Sequence, residues 1–313
     1  MNVCYIILAH KNPLQLKRLV KRLYEPWTYF YIHIDCNINI IPFKEALKEF
    51  ENMIFLENDD RYPGIWGDIG IVKGTLSAMR RIVKDKKKGY TVLLSGQDYP
   101  LETNNNILRF FEHTETNFID NIPIETLWEK HGRDRITKYK INKSNKRGDF
   151  LLLPSIFNKD FYSLKTIGQL NYLRKTGKFK SLFKILKKRE FPGKIKPFGG
   201  SQWWTLTNTT CIKILDFIRE HPDYLEYHKY SLLPDEFFFQ SIISCFKEKE
   251  NLETKKSITY VNWKRKLVPL PVTFEKSDFD ELREASKNHF FARKFDLDKD
   301  SEILDKIDSE LLS

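Results

Sequence analysis

The run Val3-Cys4-Tyr5-Ile6-Ile7-Leu8-Ala9, followed by His10-Lys11-Asn12-Pro13, decides how this chain is read. Seven apolar residues without alternation are too few to cross a membrane and describe a strand buried on both faces. Leu14, Leu16, Leu19, Val20 and Leu23 then recur at helical spacing, and 29–34 is β-branched and aromatic, which completes a β-α-β opening. The same alternation predicts a helix at 43–50, a strand at 53–56, a helix at 69–83, a strand at 91–94 and a helix at 107–111. Strands alternating with helices imply an α/β protein with a central, mostly parallel sheet flanked by helices. Such sheets bind ligands beyond the carboxyl ends of their strands.

Past Asp120 the pattern loosens into a polar stretch at 129–149, a basic segment and a Gly-aromatic strand at 199–206. A helix capped by Asn208 or Thr209 follows, running to Ile218, and Pro234 starts another through Cys245 with Asp235 and Glu236 in its first turn. One domain over 1–313 is expected, with an α/β half at 1–120 and a second half at 121–313 packed on the same sheet.

Composition narrows the classes. Of 313 residues 41% are apolar, with only 13 Gly and 13 Pro, which excludes disordered and low-complexity proteins. The 53 Lys and Arg against 42 Asp and Glu give +11, yet ten basic residues and one acid between Arg174 and Lys196 carry most of it. A charge so local is not the footprint of a nucleic-acid binder. Within that segment Phe179, Leu182, Phe183 and Leu186 fall at helical spacing among lysines. Such a helix either meets an anionic membrane peripherally through 174–196 or packs on the core. Cys4, Cys36, Cys211 and Cys245 form no CxxC pair, no stretch is long enough to span a bilayer, and no charged leader precedes Val3. A reducing, cytoplasmic setting, at most peripheral to the inner membrane face, is the expectation.

The strand-end loops carry the polar residues: Ala9-His10-Lys11-Asn12, Asp35-Cys36-Asn37 and Ser95-Gly96-Gln97-Asp98-Tyr99-Pro100. Without GxGxxG or GxxxxGK[ST], a Rossmann dehydrogenase or P-loop NTPase fits poorly, and a nucleotide-sugar transferase fits better. Asp35 either holds a base or ribose edge or caps a turn. His10 and His33 are either hydrogen-bonded structural residues or catalysts.

Six blocks in order resemble the core-2/I-branching glycosyltransferases: Tyr5-Ile6-Ile7-Leu8-Ala9-His10-Lys11, Tyr31-Ile32-His33-Ile34-Asp35, Leu94-Ser95-Gly96-Gln97-Asp98-Tyr99-Pro100-Leu101, Gly200-Ser201-Gln202-Trp203-Trp204, Pro234-Asp235-Glu236 and Phe291-Ala292-Arg293-Lys294-Phe295-Asp296. The resemblance implies a GT-A-type nucleotide-sugar transferase fold and inverting transfer from a UDP-sugar, GlcNAc first and Xyl next, to a hydroxyl of a glycan. It implies no cofactor beyond the donor, and the cytoplasmic setting expected above, unlike that of the anchored eukaryotic relatives, makes surface polysaccharide or glycoconjugate synthesis the expectation. Glu236 is implied as the catalytic base, and a helix N-terminus there would favour its carboxylate. Ala9, His10, Asp35, Asp98, Arg293 and Lys294 are implied around the UDP-sugar, with Lys294 on its diphosphate. Asp120, Arg135, Trp203, Asp235 and Trp263 are implied on the acceptor side, with Arg133 nearby; Trp263 could equally be core.

Metal independence is also implied, because the central strand ends in Ser-Gly-Gln-Asp with one carboxylate. The DxD strings at Asp278, Asp296 and Asp298 follow no strand of the opening sheet and read as solvated turns. A second cation for the diphosphate is expected where Val272 stands, so Arg265, Lys266 or Lys276 would have to replace it. A glycan-binding protein that keeps the fold without turnover is the alternative.

Overall fold

A strand that is apolar on both faces needs a neighbour on each side and a layer above and below. The computed structural model, which describes residues 1–177, 183–192 and 195–313, shows all four. Strands β1 (Asn2–Ala9), β2 (Thr28–Ile34), β3 (Met53–Phe55) and β4 (Gly89–Ser95) pair in parallel in the order β3-β2-β1-β4. Beyond β4 the sheet continues with Thr205–Thr207, which runs antiparallel, then with Asn117–Phe118 and Thr254–Lys255 at the edge. The result is a seven-stranded mixed sheet with a parallel centre.

Alternate residues of β1 feed different cores, as the two-residue period of a strand dictates. Val3, Tyr5 and Ile7 join Phe30, Ile32, Val92 and Leu94 on one side, covered by helices Pro13–Leu23, Asn104–Glu112, Phe279–Ser286 and Glu302–Glu310. Cys4 and Ile6 join Tyr31 and Leu93 on the other, under helices Gly70–Lys84, Asn208–Glu220 and Phe238–Glu250. Both cores mix residues from before and after Asp120.

Four sequence expectations shift. The helix placed at 43–50 spans Ile41–Leu47, because Pro42 favours a helical first turn. The polar stretch 129–149 is ordered: helix Ile124–Thr137 leads into a hairpin of Lys138–Asn142 with Phe150–Pro154. That hairpin has its own small core of Tyr139, Ile141, Leu151, Leu153, Leu173 and Ile185. The strand expected at 199–206 survives only as Phe198–Gly199 and Thr205–Thr207. Thr207, not Asn208 or Thr209, caps the next helix, its hydroxyl accepting from Thr210 N–H at 3.1 Å.

In the basic segment, Phe179 and Leu182 lie outside the described residues. Phe183 and Leu186 face solvent, whereas Ile185 between them is buried. All four cysteines are free, and only Cys36 is exposed. No helix among the described residues is long and apolar enough to cross a membrane.

His33 takes the structural role: buried in β2, its Nε2 accepts from Tyr62 N–H at 2.9 Å, and burial pushes the imidazole down to about 4. The Gly70–Lys84 helix can approach this ring only through Gly74, where an added Cβ would stand 2.7 Å from it. Gly74→Ala should therefore cost about 1–3 kcal/mol. A urea unfolding midpoint equal to wild type would refute that packing argument.

Candidate active site

β1 and β2 end side by side, where Asp35 N–H donates to Ala9 O at 3.0 Å. The Asp35 carboxylate accepts from Asn37 N–H and from Gly64 N–H, each at 2.8 Å, so it pins the 61–68 loop over the strand ends. This realises the turn-capping reading.

A small sheet supplies the opposite wall. Strand β5 (Asp98–Pro100) pairs antiparallel with Phe291–Arg293, and the register sets Arg293 opposite Asp98. Asp98 is fully buried and accepts from Ser95 N–H at 2.8 Å, Ser95 Oγ at 2.7 Å and Arg293 at 2.8 Å. Burial pushes its carboxyl upward, against the pull of Arg293 and Ser95. Expected among the donor contacts, Asp98 is sealed from solvent and pairs with Arg293. The Arg293 guanidinium sits 4.3 Å over the ring of Trp203. Trp203, expected to meet acceptor, is only 5% exposed and is the platform under that cation.

Lys294 follows, half-buried. Desolvation lowers its ammonium first, then the like charges of Arg293, Arg147 and Lys11. Exposed His10 lies within the electrostatic reach of Lys11, Asp35, Arg293 and Lys294, so the implied donor residues do converge. Two of these cations are compensated: Lys11 pairs with Asp296 at 2.6 Å, and Arg293 with Asp98. Asp296 is thus a counter-ion at the mouth and not a solvated turn.

Arg147 was missed by the sequence reading. It comes from the loop of the 138–154 hairpin, 5.2 Å over Trp66, whose ring stacks at 6.1 Å on Phe150. Neither Arg147 nor Lys294 has an ion-pair partner among the described residues. Val272 is buried, and its carbonyl accepts from Lys294 N–H at 3.3 Å. Of its expected replacements, Arg265 is held by Asp278 and Glu281 and Lys276 by Glu302.

Glu236 belongs to a second group of residues, built around Gly199 and Gly200. It is not at an α-helix N-terminus: Pro234–Glu236 forms a 3-10 turn, and the helix starts at Phe238 after Phe237 turns away at φ −147°. Its carboxylate is held instead by Arg135 at 2.5 Å, whose guanidinium rests 3.7 Å over Trp128. Gly199 and Gly200 let these groups meet. A Cβ on Gly199 would come within 2.5 Å of the Trp128 ring, and one on Gly200 within 2.5 Å of Asp120. Gly200 N–H donates to Glu236 O at 2.9 Å, while Asp120 accepts from Ser201 N–H at 3.4 Å and Ser257 N–H at 3.2 Å. Ser257 Oγ closes the chain by donating to Trp203 O at 2.7 Å.

Buried Asp235 is pushed up to about 7, first by burial and then by the Glu236 carboxylate. Trp263, 53% exposed, lies two residues past Thr259–Val261, the strand beside Phe291–Arg293. Among the described residues no three His, Cys, Asp or Glu side chains gather to hold a metal ion. The arrangement offers a reachable carboxylate at Glu236 and fixed cations at the strand ends suited to an anionic leaving group.

The sequence model of the family described as Core-2/I-Branching enzyme matches residues 3–285. Xylosyltransferase 2 of Rattus norvegicus is 26% identical over 99% of this chain and 34% of its own length. Xylosyltransferase 1 of Rattus norvegicus is 23% identical over 99% of this chain and 35% of its own. The chain thus spans about a third of the length of these curated relatives. Among solved structures, the bifunctional glycosyltransferase WbbM superposes at a TM-score of 0.38 with 8% identity, over 94% of this chain and 45% of that one. That likeness is too loose to carry an argument.

A carboxyl raised in the folded state resists charging, so its burden on stability grows as pH rises from about 4, where an unfolded Asp titrates, to about 7, where folded Asp235 does. Wild type should lose melting temperature relative to Asp235→Asn across that window. A constant difference between the two would contradict the raised value.

Proposed function

The chain belongs to the Core-2/I-Branching enzyme family, and from that premise we propose an inverting glycosyltransferase that moves a sugar from a UDP-sugar to a hydroxyl of a glycan without a metal. The observation that carries this reading is the gathering of Lys294, Arg293, Arg147 and Lys11 at the sheet's ligand edge, with neither Lys294 nor Arg147 in an ion pair among the described residues, together with the partly exposed Glu236 carboxylate held by Arg135.

In this mechanism the acceptor oxygen attacks C1 of the donor sugar while Glu236 takes the hydroxyl proton. The bond from C1 to the phosphate oxygen breaks with its electron pair leaving on UDP. A positioned base is worth about 10² to 10⁴ in rate. Lys294, Arg293 and Arg147 meet the developing diphosphate charge, a role that a divalent ion fills elsewhere. Ala9, His10 and Asp35 line the nucleotide end. Asp120, Asp235 and Trp263 stand on the acceptor side, and Arg135 orients Glu236. The similarity to the two xylosyltransferases supports xylose ahead of GlcNAc as the first donor to try. A role in surface polysaccharide or glycoconjugate synthesis belongs to the same proposal. So does an anionic membrane contact through 174–196 at the cytoplasmic face, supported by exposed Phe183 and Leu186 beside Lys187 and Lys188.

The deciding assay is UDP release from UDP-xylose, UDP-GlcNAc and other UDP-sugars, with glycan acceptors, in the presence and absence of EDTA. Selective release that survives EDTA is expected; loss with EDTA removes metal independence, and silence throughout removes the transferase reading. Glu236→Gln should lower transfer at least about 10²-fold with donor affinity nearly unchanged, and wild-type turnover would reject it as the base. Arg147→Ala should raise the Kd for UDP about tenfold and leave uridine binding alone. An unaltered Kd for UDP would take Arg147 out of the site.

A further inference from the structure

Glu236 and the strand-end cations make no use of an open cavity of about 930 Å³ on the other side of helix Ile124–Thr137. Two steps along a helix turn the side chain by about 200°. Arg135 accordingly reaches Glu236, while Arg133 lines the cavity with Lys159, Lys188 and Arg189. Acids are present too: Glu125, Asp134 and Asp160 share the lining. Lys138 bridges two of them, at 2.9 Å from Asp134 and 3.3 Å from Asp160, and offsets one of their two charges. Lys188 also pairs with Glu190, whereas Arg133 and Lys159 have no ion-pair partner among the described residues.

Arg189 is the second observation. It is nine-tenths buried, held between the rings of Tyr139 and Tyr227 at 4.6 and 4.1 Å, and donates through Nη2 to Ser231 Oγ at 2.8 Å. Its Nε is buried with no hydrogen-bond partner among the described residues. A guanidinium clamped in this way is a fixed positive charge in the cavity wall, which an anion in the cavity would meet.

The rim is apolar. Phe157 (64% exposed) lines the cavity mouth, and Tyr162 (79%), Leu164 (88%), Ile167 (58%), Phe183 (69%) and Leu186 (52%) lie exposed in the segments around it. Hydrogen bonds from Ile156 N–H to Ile185 O at 3.0 Å and from Tyr162 OH to Ile156 O at 3.4 Å join those segments. Lys159, Lys165, Lys187 and Lys188 are interspersed. A soluble anion would account for the cations but not for this apolar rim; an amphiphile accounts for both.

We propose that this face docks on an anionic phospholipid bilayer and that the cavity receives a lipid headgroup phosphate. The proposal rests on the membrane contact read above for 174–196 and extends it to 157–167. Apolar side chains enter the interface, and each lysine near the surface adds about 1 kcal/mol.

The test is co-sedimentation of the full chain with phosphatidylcholine vesicles, with and without phosphatidylglycerol. It compares wild type with Lys159→Glu/Lys188→Glu and with Leu164→Ser/Ile167→Ser, each verified as folded by circular dichroism. Wild type should bind the phosphatidylglycerol vesicles, and each variant should bind at least about tenfold less while releasing UDP normally without vesicles. Should the charge-reversal pair fail to fold, the serine pair decides. Binding that both variants retain would keep a membrane contact but overturn this face. Equal binding to neutral vesicles would overturn the anionic surface proposed here, and no wild-type binding to either would overturn the membrane reading as well. Stabilisation by inorganic phosphate with no vesicle binding would assign the cavity to a soluble anion and overturn the lipid.

Discussion

The buried ion pair between Asp98 and Arg293 is the contact on which the ligand edge of this fold depends. A carboxylate with no exposed surface is tolerated only when it is paired and hydrogen-bonded, and Ser95 and Arg293 together give Asp98 three such bonds. Removing one partner of such a pair costs about 3–5 kcal/mol. The bond links positions 195 residues apart, tying Phe291–Arg293 to the turn after β4. Lys294 is placed as the next residue along, and Trp203 as the surface on which Arg293 lies.

From Trp203 the order propagates by backbone contacts. Ser257 bridges Trp203 to Asp120, Asp120 meets the Gly200 turn, and Gly200 binds the carbonyl of Glu236. Environment then sorts three carboxyls into three roles. Asp98 is sealed under its arginine; Asp235 is buried beside a like charge and driven toward neutrality. Glu236 keeps 22% of its side chain exposed against Arg135, so it alone combines a fixed charge with access.

The first 120 residues were legible because strands buried on both faces are written as unbroken apolar runs, and β1, β2 and β4 are such runs. The convergence of strand-end residues followed from that topology. Burial of individual side chains did not: nothing local marks Asp98 or Trp203 as covered, since what covers them comes from Arg293. The 124–154 region was misread because the short inward alternation of Tyr139 and Ile141, broken by buried Lys140, is weak beside the surrounding charge. Arg147 was lost with it, as was the pairing of Arg135 with Glu236 across 101 positions. The turn at Pro234 showed in the sequence, whereas the φ of Phe237 that separates it from the helix did not.

Val272 occupies the position where a second cation was sought, and its place in the fold gives it a different kind of importance. Its carbonyl accepts from Lys294 N–H, while Lys294 O accepts from Phe274 N–H at 2.9 Å, so the main chain of the lysine is bonded on both sides to the 272–274 segment. Little backbone entropy is left there for a ligand to freeze. Ordering one residue's backbone forfeits about 1–2 kcal/mol, and folding has already met that loss at Lys294. A phosphate arriving at this edge has only the lysine side chain to immobilise, so an apolar residue with no charge of its own contributes to anion binding through preorganisation.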